Sequence, residues 1–199
     1  LIKMIKKILI ILFLIFFNSL SVVAMDAKIL EIGDNNAKIT VKVFSSLTCP
    51  HCATFHEKIF NKLKTEYIDN NKVRFEHHGF PLDLAALNAE MILRCKNDPK
   101  RNFELLSEIY KRQEIWAVGS DIKLINSSIK KIGREFGMEE KKMNTCLKNE
   151  EVQEQILNER IEAQKKYKIS STPTIFINEK KYVGKHDFNE FKKELEKIL

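Results

Sequence analysis

The feature that most constrains this chain is Phe44-Ser45-Ser46-Leu47-Thr48-Cys49-Pro50-His51-Cys52, where two cysteines sit at the junction of two periodicities. Before it, Ile39, Val41 and Val43 alternate with Lys38, Thr40 and Lys42, the period of a half-buried strand over 37–44. After it, Phe55, Ile59, Leu63 and Tyr67 recur at helical spacing. The cysteines are therefore expected at a helix N-terminus, where unpaired backbone N–H groups and the positive end of the macrodipole stabilise a thiolate. Thr48 is the expected N-cap, and Pro50 suits the first turn, where a missing N–H costs nothing. The i to i+3 spacing turns Cys52 back over Cys49, within reach of a disulfide, and a protonated His51 would add positive charge beside the Cys49 sulfur. Whatever favours the Cys49 thiolate favours the reduced pair, so a disulfide here is expected to be an oxidant.

The N-terminus sets the redox compartment. Lys3, Lys6 and Lys7 precede an apolar run from Ile8 to Phe17, and residues 18–24 turn small and polar, ending in Val22-x-Ala24. That is the grammar of a cleaved signal peptide over 1–24. The run falls short of the roughly 20 apolar residues a span needs, although counting from Ile8 to Ala24 keeps an uncleaved anchor as the alternative. Export puts the cysteines where disulfides persist. With Cys49 and Cys52 assigned to the motif, Cys95 and Cys146 remain for a structural disulfide, two buried free thiols being the alternative. Residues 25–199 form one domain of ordinary size. The formal charge of +7 loses three with the N-terminal lysines, and no basic run remains, so nucleic-acid binding is not indicated.

Along the body of the chain, Lys28–Ile32 reads as a short edge strand, and Val73 to His77 alternates again after the motif helix. This β-α-β order predicts two parallel strands. His77 and His78, at the strand's end, read as solvated loop residues, and so does His186. Helical patterns then fill about 84–168, at Ala85–Cys95, Phe103–Tyr110, Ile122–Phe136, Met138–Leu147 and Val152–Tyr167, with Trp116 expected to pack in their core. Strand character resumes at Thr174–Ile177 and Lys181–Val183, an expected hairpin. Asp187 and Glu190 then open an amphipathic terminal helix. The order β-α-β, helices, β-β-α is that of an α/β thioredoxin fold with an inserted helical subdomain.

Thr172-Pro173 immediately precedes the hairpin. Next to a Cys-x-x-Cys helix it predicts a cis bond facing the dithiol, leaving nearby backbone free to pair with an extended chain. An ordinary trans proline is the alternative.

Cys49-Pro50-His51-Cys52, the helical insertion, Thr172-Pro173 and the export signal together resemble the DsbA family of periplasmic disulfide oxidoreductases. In DsbA the nucleophilic thiol has a pKa of about 3.5 against about 8.5 for a free thiol. The resemblance implies that Cys49 is an exposed nucleophile, Cys52 the buried resolving thiol and His51 the residue that stabilises the Cys49 thiolate. It makes Thr172 and Pro173 part of a peptide groove and Cys95–Cys146 a second disulfide. It further implies unfolded exported proteins as substrates, a DsbB-like quinone-linked membrane oxidase as partner, a monomer, and no cofactor beyond the redox-active disulfide. Two positions depart from the family pattern: Val43 stands where a carboxylate is usual, and Thr172 where valine is usual, threonine being frequent in the related isomerases. The competing readings are an exported reductase or isomerase, and a soft-metal module in which Cys49 and Cys52 join His56 or the His77–His78 pair.

Overall fold

The computed structural model describes residues 29–96 and 98–199; the signal-peptide reading of 1–24 and the start of the Lys28 strand lie outside them. The strands β1 (Leu30–Ile32), β2 (Ile39–Ser45), β3 (Val73–Gly79), β4 (Thr174–Ile177) and β5 (Lys180–Lys181) form one sheet in the order β1-β3-β2-β4-β5. β2 and β3 run parallel, with Val43 opposite His77 and Ser45 opposite Gly79. The other three pairings are antiparallel. The central strands are long and almost wholly buried, while the outer ones are short, and β5 carries exposed lysines that blunt its edge.

The helix α1 spans residues 50–68 and joins β2 to β3. Its α-helical turns Pro50–Phe55 and Asn61–Leu63 alternate with wider π turns at His56–Phe60 and Lys64–Ile68. Phe55, Ile59, Leu63 and Tyr67 all face the core, as their spacing requires. Between β3 and β4 come α2 (Leu84–Arg94), α3 (Pro99–Lys111), α4 (Gln113–Trp116), α5 (Ile122–Glu135), α6 (Glu140–Cys146) and α7 (Glu150–Tyr167), and α8 (Phe188–Glu196) closes the chain. Asp83, Asp98, Asp121, Asn149 and Asp187 cap α2, α3, α5, α7 and α8 by accepting from backbone N–H groups of the first turn. The single turn of α4 is too short to leave a periodic signal in the sequence.

Alternation along β2 divides the packing. Ile39, Val41 and Val43 join α1, α8 and much of the helical insertion in the main core, which also contains Trp116. Phe44 points the other way, into a smaller cluster with Phe80, Phe176 and, from α7, Ala163, with Tyr167 packed against it. Cys95, after α2, and Cys146, ending α6, are joined by a disulfide with their Cα atoms 6.0 Å apart.

The hairpin is tighter than expected. Asn178 adopts a left-handed φ of 53°, which asparagine tolerates, so the return strand begins at Lys180 and lasts two residues. Tyr182 still donates its N–H to Ile175, but Val183 lies beyond the strand.

Candidate active site

The N-terminus of α1 meets the sheet at the end of β2. Cys49, not Thr48, is the N-cap residue: it has extended backbone angles, and its carbonyl accepts from the N–H groups of Cys52 and Ala53. Thr48 is engaged elsewhere, donating its hydroxyl to Asp83 at 2.7 Å. Asp83 also caps α2 through Ala86 N–H, and Ser46 Oγ accepts from Leu82 N–H. The loop that begins α2 is thereby strapped to the loop that carries the cysteines.

A second strap was not visible in the sequence. The buried Gln113 amide donates to the Leu47 carbonyl at 2.7 Å and to the Cys49 carbonyl at 3.1 Å. Nothing in the run Arg112-Gln113-Glu114 distinguishes this glutamine from a solvated one; only the turn of α4 aims it at the dithiol loop.

Cys49 and Cys52 are free thiols. Across from them the Thr172–Pro173 bond is cis. The Cys49 thiol lies 3.4 Å from the Thr172 carbonyl oxygen, to which it donates. Cys49 is less open than a freely exposed nucleophile, at 8% exposure, because the cis-proline loop covers one side; Cys52 is at 1%.

The two sulfurs are electrostatically unlike. A hydrogen bond from the Cys52 thiol is the largest influence on Cys49; with help from Thr172 and the backbone N–H groups of Cys52 and His51 it outweighs burial and pushes Cys49 down to about 5. Burial, followed by the hydrogen bond to Cys49, holds Cys52 far above the ordinary thiol range. His51 adds a backbone N–H to Cys49 and is itself exposed. Val43, six residues before Cys49, packs in the core.

The histidines weighed as metal ligands have other partners. His56 Nε2 lies 2.8 Å from Ser107 Oγ, His77 sits between Ser45 and Glu90, and His78 Nε2 is 2.9 Å from Glu76. Among the described residues no group of three or more His, Cys, Asp or Glu could hold a metal ion. His77 and His78 are not solvated loop residues: both belong to β3, and His77 is 2% exposed. His186 does lie in a surface loop, with its ring 6.3 Å from that of Phe55.

A parallel β-α-β unit, a dithiol at the start of its helix and a cis-proline against the sulfurs define a thioredoxin-fold protein with a thiol–disulfide exchange site. The chain belongs to the thioredoxin family, whose model matches residues 26–197, and within it to the DsbA-like proteins. It is 30% identical to a putative protein-disulfide oxidoreductase of Rickettsia bellii over 154 residues, 77% of this chain and 58% of that protein. The chain thus spans little more than half the length of that relative. It is 29% identical to disulfide bond formation protein D of Bacillus subtilis over 177 residues, covering 84% of this chain and 76% of the other. The crystal structure of alpha-DsbA1 from Wolbachia pipientis superposes with a TM-score of 0.79 at 26% identity, covering 86% and 90% of the two chains.

Proposed function

We propose that this chain is an exported thiol:disulfide oxidoreductase that introduces disulfides into other proteins, working as an oxidant. A substrate thiolate attacks the Cys49 sulfur of the Cys49–Cys52 disulfide, and Cys52 leaves; a second substrate thiolate then displaces Cys49 and carries away the new disulfide. Cys49 is the nucleophile and leaving group, Cys52 the resolving thiol, and Pro50 and His51 complete the first turn that supplies backbone N–H groups. Thr172 and Pro173 present the backbone against which an extended substrate lies. The supporting observation is the asymmetry of the pair: Cys49 is pushed down to about 5 while Cys52 is held up. A low-pKa thiol leaves faster, and stabilising the reduced state makes the disulfide more oxidising.

Apolar side chains border the site. Leu82 is 50% exposed on the loop strapped to Ser46 and Thr48, and Leu84, the first residue of α2 beside Asp83, is 55% exposed. Such a rim suits unfolded chains, whose apolar residues are still accessible. Reoxidation would fall to a DsbB-like membrane partner, the protein acting as a monomer outside the cytoplasm. Among the described residues no helix is long and apolar enough to cross a membrane.

The decisive measurement is the reduction potential of Cys49/Cys52 by equilibration against glutathione. A value near about −120 mV is expected for an oxidant; one near about −270 mV would overturn this reading in favour of an exported reductase or isomerase, which Thr172 favours.

A further inference from the structure

A cavity of about 550 Å³ lies beside the dithiol, between α1 and the α3–α4 segment. Its walls include Pro50, His56 and Glu57 of α1, Ser107 of α3, and Gln113 and Glu114 of α4. One end of it is therefore the residue that follows Cys49. Gln113 fixes that end, because its bonds to the Leu47 and Cys49 carbonyls hold α4 against the dithiol loop, and Glu114 is the next residue. From Pro50 the cavity follows one face of α1 to His56, about 9 Å along the helix at roughly 1.5 Å per residue.

The chemistry of these walls selects a cation. Ser107 gives its one hydroxyl proton to the Phe103 carbonyl at 2.8 Å, so it accepts from His56 Nε2, also 2.8 Å away, and Nε2 carries the hydrogen. Burial, with His77 nearby, pushes His56 down to about 3, so the ring is neutral and its Nδ1 is a bare acceptor. That nitrogen has no partner among the described residues, although His56 is only 4% exposed. The ring is held by stacking on Phe60, with centroids 4.2 Å apart. Glu57 and Glu114 form no ion pair among the described residues. Glu108 is also on the wall, but Arg112 and Lys111, the latter at 3.8 Å, already neutralise it. The acceptors do not make a metal centre, since among the described residues no group of three or more His, Cys, Asp or Glu could hold an ion. A flexible organic cation can satisfy them one at a time.

We propose that this cavity is a substrate subsite, which takes a lysine or arginine side chain of the polypeptide that reacts with Cys49. The basic residue stands about three positions from the reacting cysteine, since three extended residues at roughly 3.3 Å each cover the distance from Pro50 to His56. Its charged head lies between Glu57 and Glu114 and donates to His56 Nδ1, while its methylenes pack along the α1 wall. The chain as a whole is basic, +7 by formal count, so its distant field disfavours such a substrate. The preference is therefore a local one, made by these three side chains.

The subsite rests on reading Cys49 and Cys52 as an exchanging pair, and one set of peptides separates the two ideas. Reduced peptides with two cysteines, and with Lys, Gln or Glu three residues to either side of the first, are mixed with the full oxidised chain. Loss of the Cys49–Cys52 disulfide is timed by acid trapping and mass. Each rate is divided by that of the same peptide with glutathione disulfide, which removes the effect of the added charge on the peptide's own thiol. No reaction with any peptide would sink the exchange reading itself. With reaction established, the Lys peptide is expected to react about tenfold faster than the Gln peptide, and the Glu peptide more slowly still. In the double variant Glu57→Gln with Glu114→Gln, both at exposed positions, the ratio of Lys to Gln rates should fall towards one. Equal rates for the three peptides overturn the proposal, and so does a Lys preference that survives the double substitution. Fastest reaction with the Glu peptide, the order that net charge alone would give, overturns it as well.

Discussion

At the scale of single residues, the site depends on the unequal treatment of two identical side chains. Since the hydrogen bond from Cys52 is the largest influence on Cys49, Cys52→Ala should raise the Cys49 pKa by about one to three units, read as the thiolate absorbance at 240 nm against pH. An unmoved midpoint would shift the credit to the backbone N–H groups of the helix start. The same asymmetry makes stability depend on pH. Cys49 titrates lower in the folded, reduced protein than in the unfolded chain, so its contribution is present above the unfolded pKa of about 8.5 and is lost as pH falls through about 5. The oxidised protein has no such thiol. The excess melting temperature of reduced over oxidised protein should therefore shrink steadily from pH 8 to pH 4, about the window those two values define; a constant difference would contradict the shift.

At the scale of elements, the cysteine helix is held in place by parts of the helical insertion far from it in sequence. Gln113 in α4 bonds two carbonyls of the dithiol loop, and Asp83 joins Thr48 to the start of α2. Gln113→Ala takes away the side-chain donor to the Leu47 carbonyl and one of three donors to the Cys49 carbonyl, and should cost about 1–3 kcal/mol, measured as a lower urea midpoint at unchanged m-value. Glutathione should also oxidise the Cys49/Cys52 pair of that variant more slowly if the loop loses its fixed position. These straps explain what could and could not be read beforehand. Alternation at Ile39, Val41 and Val43 and the four-residue recurrence after Cys52 are local patterns, so β2 and α1 were legible. So was the likeness of Thr172-Pro173 to a groove proline, because it rests on contiguous residues. The partners of Gln113 and His77 are set by tertiary geometry, and no short-range signal marks them. His77 reads as a loop residue in the sequence because its alternation ends in two histidines, and only the packing of α2 on the sheet brings it to Glu90.

At the scale of the whole molecule, the insertion and the sheet share one core, in which both cysteines of the dithiol are packed. Leu82→Asp with Leu84→Asp should slow oxidation of a reduced unfolded protein by about tenfold, the effect of losing one to two kcal/mol of apolar burial, while exchange with glutathione is nearly unchanged. Equal slowing of both reactions would mean that the rim shapes the site and does not hold substrate. The other disulfide carries a consequence for how the first copies come into being. Cys95 and Cys146 are buried at 3% and 7% exposure within the finished insertion. Once the helices have docked, no dithiol site, including the protein's own, can reach those sulfurs, so the bond must close while the chain is still open. From a reduced, unfolded start, the Cys95 and Cys146 thiols should therefore react with an added oxidant early in refolding and become far slower to oxidise once the helices have docked.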